Sequence, residues 1–210
     1  MKKNKITTQD GFTLVELLVS LAIFSIVVIS SLGAMLSIAD ANRRVQKTRA
    51  VLDNLSLSVE SMSRNLRLGN SYHCDKIDTI TKAVPTNNLH VPQDCSSVGG
   101  WGDFISFEDQ YGNASSDVDQ AKYYLDSNPA SLTYGSIMYR KYGTTTPIAL
   151  TSDDLTIRSL RFYVTGITGV GEKPQPKVII VLSGYTEVGR AQEPVEINIQ
   201  TTVSQRPLNF

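Results

Sequence analysis

The amino-acid sequence predicts an α+β protein in which one long N-terminal helix is followed by a head built on an antiparallel β-sheet. Two observations support this prediction. An uncharged apolar run over residues 17–39 continues into an apolar stripe over residues 45–66, and no proline occurs before Pro85. Beyond residue 102, short segments of alternating apolar and polar residues are separated by turn residues. A helix followed by a series of strands is typical of the α+β class with an antiparallel sheet.

The first part of the predicted helix is long enough to cross a membrane, because a bilayer needs about 20 consecutive apolar residues. Glu16, near the start of this run, requires an explanation, since a carboxylate at the centre of the hydrocarbon costs about 2.5–3.5 kcal/mol. One explanation is local: Thr13 and Glu16 have the T-x-x-E spacing of a helix capping box. An ordinary secretory signal fits less well, because its apolar region has about 7–15 residues. An uncleaved membrane anchor remains an alternative.

The string Gly11-Phe12-Thr13-Leu14-Val15-Glu16 resembles the export signal of type IV pilins and the related pseudopilins, and the likeness is close over residues 11–24. The resemblance implies that a prepilin peptidase removes a leader of residues 1–11 on the cytoplasmic side, by cleaving between Gly11 and Phe12. Phe12 would then be N-methylated. Glu16 would pair with the free amine of Phe12 on a neighbouring subunit during filament assembly.

The resemblance also implies a location and partners. The protein would cross the cytoplasmic membrane once, with an exported C-terminal head, and would enter an extracellular or periplasmic filament. Its partners would be the prepilin peptidase, other pilins or pseudopilins bound through the N-terminal helix, and the lipid bilayer. The filament would be a type IV pilus, a type II secretion pseudopilus or a competence pseudopilus.

Within this helix, residues 12–39 would form the transmembrane or filament-core half and residues 40–68 an amphipathic half. The amphipathic half carries a heptad-like stripe with alternating spacings of three and four residues. The stripe consists of Val45, Thr48, Leu52, Leu55, Val59, Met62 and Leu66. Gly69-Asn70 is a signal for the end of the helix. Gly33 either loosens the apolar half or allows close helix packing.

Residues 69–102 are rich in glycine, proline and asparagine and are predicted to be a loop region of the head. The region contains Cys74 and Cys95, the two cysteines of the chain. Because export favours oxidation, we predict a disulfide between them. The alternative is a metal site formed by these cysteines with His73 and His90, although the spacing fits no standard zinc pattern.

The rest of the head, residues 103–210, is predicted to contain the β-sheet. Its predicted strands cover residues 104–108, 122–126, 136–142, 155–164, 177–182 and 195–203. This order of strands resembles the larger minor pilins of the W type and the minor pseudopilins of the J type.

Charge and short motifs limit the kinds of function that the chain can have. The chain has 210 residues with 20 basic and 20 acidic side chains, and no basic stripe that would indicate nucleic acid as a main partner. G-x-S-x-G, H-E-x-x-H and C-x-x-C motifs do not occur, so we predict a protein that is not an enzyme and needs no cofactor or metal.

Two clusters in the head leave binding functions open. Six tyrosines between Tyr111 and Tyr142, with Trp101, are either a binding platform or core residues. Acidic residues from Asp103 to Asp126 leave calcium as an alternative.

The sequence therefore favours a structural filament subunit. The alternatives are a tip adhesin, or another binding module on the same scaffold, and a membrane-anchored exported protein of other function.

Overall fold

A computed structural model describes residues 11–109, 115–167, 175–187 and 194–206. The chain forms two compact units, Met1–Gln46 and Lys47–Phe210. One long helix, α1 (Leu14–Leu68), provides the described helical residues of the first unit and the first residues of the second. The predicted long N-terminal helix is confirmed, and the antiparallel sheets that follow it confirm the α+β class.

The part of α1 in the second unit buries one face, formed by Val51, Leu55, Ser58, Met62 and Leu66. The predicted heptad stripe follows this face only near its C-terminal end. Leu66 is fully buried, whereas Leu52, two heptads earlier, is 39% exposed. An α-helix has 3.6 residues per turn, so a strict seven-residue repeat drifts by about 20° per heptad. The drift carries Leu52 away from the core, and Val51 takes its place.

The end of α1 is fixed by close approach of the backbone. Gly69 directly follows the helix, as predicted, but the positive φ expected of a C-terminal glycine is found at Ser71 instead (52°). A Cβ atom on Gly69 would overlap the ring of Phe107, so glycine is needed there to let the chain pass the sheet. The Tyr72 hydroxyl donates hydrogen bonds to the carbonyls of Leu66 and Gly69 at this end.

The first sheet has five strands in the order β1-β2-β3-β4-β5, and every neighbouring pair is antiparallel. Its strands are β1 (Asn70–Asp75), β2 (Phe104–Glu108), β3 (Ala121–Leu125), β4 (Ile137–Arg140) and β5 (Ile148–Ala149). The prediction of a loop over residues 69–102 was wrong at β1 and at a short 3₁₀ helix (Cys95–Val98). The sequence NSYHCD has little strand preference of its own, and its pairing with β2 decides its conformation.

The second sheet has three strands, β6 (Thr156–Thr165), β7 (Lys177–Thr186) and β8 (Val195–Ser204), again antiparallel and in sequence order. The described residues of the head thus form two sheets where the sequence predicted one. They meet at Gly102 and Phe162, whose backbone groups exchange hydrogen bonds of 2.9 and 2.7 Å. Inward-facing side chains of both sheets form one hydrophobic core with the buried face of α1.

Candidate processing and assembly site

Thr13 caps the N-terminus of α1. Its hydroxyl oxygen accepts a hydrogen bond from the Glu16 N–H (3.3 Å), and its carbonyl accepts one from the Leu17 N–H (3.2 Å). This is the threonine half of the predicted capping box. Gly11 and Phe12 therefore lie outside the helix, and both are exposed. Among the described residues, no atom other than those of the adjoining residues lies within 4 Å of where a Cβ on Gly11 would sit.

Glu16 lies in the first helical turn, where the positive end of the helix dipole favours a carboxylate. Its side chain is exposed. Within the described residues, the Glu16 carboxylate has no hydrogen-bond or ion-pair partner. The capping interaction thus uses the backbone N–H of Glu16 and not its side chain. The two carboxylate oxygens of Glu16 are available to a cation from outside the described part of the chain.

Three serines in the apolar run use their hydroxyls within the helix. Ser20, Ser25 and Ser31 each donate to the carbonyl four residues earlier, at 2.7, 2.8 and 2.8 Å. These hydroxyls therefore enter hydrocarbon or an apolar bundle without an unpaired donor. The sequence prediction gave these serines no role. Their position inside an uncharged apolar run was the signal that their hydroxyls need partners within the helix.

The apolar part of α1 is not covered by the protein itself. Apart from half-buried Val28, each of its Val, Leu, Ile, Phe and Met side chains from Phe12 to Ile38 is more than half exposed. Gly33 lies in the continuous helix, and a Cβ on it would meet no described atom within 4 Å beyond its neighbours and the nearby helix backbone. By length and composition α1 can cross a membrane. An exposed apolar surface of this extent marks a place of contact with a membrane or with another protein.

The two cysteines of the head are joined in the predicted disulfide, with an S–S distance of 1.99 Å, and both are buried. The two histidines of the alternative metal site hold the surrounding loop instead. His73 Nδ1 lies 2.7 Å from the Val91 carbonyl, and His90 Nδ1 lies 2.7 Å from a carboxylate oxygen of Asp117. Among the described residues, no group of three or more His, Cys, Asp or Glu side chains could hold a metal ion.

The acidic residues of the head mostly stabilise loops. Asp117 accepts hydrogen bonds from the backbone of Asn88 (2.8 Å) and His90 (3.0 Å) and from the His90 ring. Burial acts to raise the pKa of Asp117, but these hydrogen bonds outweigh it and lower the pKa to about 2. Asp103 accepts the Ile77 N–H at 2.6 Å, and Asp126 accepts the Thr133 hydroxyl at 2.7 Å.

The tyrosines that the structure describes do not form a single exposed platform. Tyr123 is fully buried and stacks on Phe107 and Tyr139, with ring centroids 5.7 and 4.7 Å apart. Its hydroxyl accepts a hydrogen bond from Asn65 on α1 at 2.7 Å. Tyr111 lies outside the described residues. The stack therefore joins the first sheet to the helix, which is the core role that aromatic residues in strands usually have.

Comparison with known protein families finds a match at the N-terminus. The model of the prokaryotic N-terminal methylation motif matches residues 6–32, which include the Gly11-Phe12 bond, Glu16 and the first part of α1. Comparison of the chain with curated proteins and with solved structures gives no match. The exposed apolar helix fits a membrane-anchored protein. Together, the methylation motif, this helix and the antiparallel sheets that follow it support placing the chain in the type IV pilin and pseudopilin family.

Proposed function

We propose that this chain is a structural subunit, a minor pilin or minor pseudopilin of the W/J type, of a type IV pilus or of a secretion or competence pseudopilus. It is made as a prepilin, cleaved after Gly11 by a prepilin peptidase and N-methylated at Phe12. Its head is exported while residues 12–39 stay in the cytoplasmic membrane until they enter the filament. One observation carries the proposal: an exposed apolar segment of α1, residues 14–39, whose first turn holds a single carboxylate, Glu16, with no partner among the described residues.

The electrostatics of assembly follow from that observation. Cleavage before Phe12 creates a positively charged amine four residues before Glu16. Four helical residues correspond to about 6 Å along the axis, so a small axial offset between parallel helices brings the amine of one subunit to Glu16 of the next. In a water-free bundle, removing one partner of such a pair leaves the other charge unpaired, at a cost of about 3–5 kcal/mol.

The first test is the N-terminus of the mature protein. Mass spectrometry of the protein from its native membranes is expected to find a chain that begins at N-methylated Phe12. An uncleaved chain, or one that begins at Asn42 after a conventional signal-peptide cut, would contradict the proposal.

The second test separates assembly from helix capping. Glu16→Val should leave cleavage and membrane insertion intact, because removing a charge does not hinder insertion. Its co-purification with other filament subunits should fall strongly. The matched control is Ser20→Val, one turn along the same exposed helix, which should co-purify like wild type. Equal incorporation of the Glu16 variant would leave only the capping role and would overturn the assembly role.

A further inference from the structure

The strand β8 leaves one edge of the second sheet open. Within the described residues, its ladder partner is β7 alone. The other edges of the two sheets are short or covered. The edge strand β5 has two residues, β6 is bridged by Gly102, and the outer side of β1 is bonded to Gln93. Among the residues that the structure describes, a ten-residue open edge is therefore an exception, because the other edges are protected.

The hydrogen bonds at the end of β8 show which backbone groups face outward. The Gln205 N–H donates to the Pro176 carbonyl (3.0 Å), which continues the β7–β8 ladder by one residue. The next N–H, that of Arg206, points the other way and donates to the Arg67 carbonyl (2.9 Å). Backbone groups alternate in direction along an antiparallel strand. The even-numbered residues of β8 therefore direct their N–H and C=O groups to the open edge.

A groove of about 480 Å³ lies between this edge and α1. Its strand wall is formed by four consecutive residues, 201–204. Because successive side chains of a strand point to opposite faces of the sheet, a groove lined by all four follows the edge of the strand and not one face. Its helix wall is formed by Glu60, Ser63, Arg64 and Arg67. The Arg206–Arg67 hydrogen bond closes one end.

The charge around the groove is positive. Arg64 and Arg67 line it, and exposed Arg206 stands at its closed end. Glu60 is the one acidic residue of the lining, and it is paired with Arg64 at 2.9 Å. The unmatched positive charge favours an occupant that carries carboxylates.

We propose that the open edge of β8 binds an extended, carboxylate-bearing segment of a partner protein, which adds to the second sheet as a fourth strand. Main-chain hydrogen bonds to the even-numbered residues supply affinity, as in other cases of strand addition, and the arginines select acidic side chains. Because α1 forms the opposite wall, the groove takes a single strand, and the β8 edge of a second copy would bring its own helix into the same space. The inference concerns the head unit and does not depend on the filament role.

The test uses the full chain in mild detergent and a labelled peptide of about ten alternating valine and glutamate residues, with a valine–lysine peptide for comparison. Fluorescence anisotropy should show the lysine peptide binding at least about tenfold more weakly. Hydrogen exchange should slow in β8 when the glutamate peptide binds. Equal binding of the two peptides, or binding without slower exchange in β8, would overturn the proposal.

Two variants test the edge and the charge separately. Thr202→Pro removes an outward N–H that the β7 ladder does not use, so the strand should tolerate it, as edge strands tolerate proline. It should abolish peptide binding, whereas Thr202→Ala should bind like wild type. Arg67→Glu should weaken binding at least about fivefold, and Arg49→Glu, on the same helix outside the groove, should not.

Hydrogen exchange of the β7 amides verifies that the proline variant is folded. A folded proline variant that binds normally would refute the role of the edge. If that variant does not fold, the charge reversal decides, and unchanged binding by Arg67→Glu would refute the proposal.

Discussion

The disulfide of the head is expected to stabilise the fold by an amount that depends on the length of the loop it closes. Cys74 in β1 and Cys95 in the 3₁₀ helix are 21 residues apart in sequence. In the chain-entropy model, a cross-link that closes a loop of that length lowers the free energy of folding by about 3 kcal/mol. Both sulfur atoms belong to buried residues, and the Val164 N–H donates to Cys95 Sγ at 3.1 Å. We expect Cys74→Ala/Cys95→Ala to lose at least this amount.

The single tryptophan of the chain provides the assay. Trp101 lies between the disulfide region and the second sheet, with Lys76 Nζ at 4.3 Å and Arg161 Cζ at 4.6 Å from its ring centroid. Unfolding of the head should separate these groups and change the emission. Urea titration of the full chain in mild detergent is expected to show a midpoint about 1–3 M lower for the double variant. The reason is that the free energy of unfolding of small proteins falls by about 1–3 kcal/mol per molar urea.

Reduction gives an independent control. A reductant should destabilise the wild-type protein by a similar amount and leave the double alanine variant unchanged. Ser96→Ala, an exposed position in the same 3₁₀ helix, should remain within about 0.5 kcal/mol of wild type. A loss below about 1 kcal/mol in the double variant, or an unchanged midpoint on reduction of the wild-type protein, would refute the reasoning.

Three further predictions concern the N-terminal site, the helix core and a loop. Gly11→Ala should block or slow cleavage, because the family peptidase acts on a backbone without a Cβ before the cut. Precursor of full mass on gels would confirm this, and normal processing would count against it. Met62→Ala, in the buried face of α1, should cost about 2–5 kcal/mol in urea titration, whereas exposed Leu57→Ala should cost under about 0.5 kcal/mol. Asp117 has its pKa lowered from 3.8 to about 2, so the stability it contributes is present above pH 4 and lost as the pH falls toward 2. Asp117→Asn should be less stable than wild type by about 1.5 kcal/mol at pH 7, since hydrogen bonds to a charged group are lost, and the difference should shrink at pH 2.

Local sequence patterns predicted those parts of the fold that local physics determines. The uncharged run, the apolar stripe and the Gly69-Asn70 signal predicted α1 to its last residue, and the alternation of apolar and polar residues predicted strands within β6, β7 and β8. The capping interaction of Thr13 with the Glu16 N–H also follows from residue type and spacing alone. The disulfide was predicted from the expected export of the segment that holds its cysteines, because export favours oxidation.

Features that depend on pairing between distant segments were not predictable in this way. β1 is a strand because β2 lies beside it, and nothing in its own six residues indicates this. Alternation shows which side chains face inward but not which strands are neighbours, so one sheet was predicted where the described part of the chain has two. The groove beside β8 has the same origin, since the last residue of α1, Leu68, and the first residue of β8, Val195, are 127 residues apart in sequence (195 − 68) and their elements meet only in the folded head.

The exposed apolar surface of α1 restricts the environments through which such a subunit can move. Each large apolar side chain moved into water costs about 1.5–3 kcal/mol, so the whole segment would cost tens of kcal/mol to expose. If the chain assembles as proposed, it can pass from lipid to the helical bundle only where the two adjoin. Subunits would then join at the membrane end, and each earlier arrival would be carried outward. The position of a subunit along the filament would then correspond to the order in which the subunits left the bilayer. A rare subunit that is recruited first would lie at the tip.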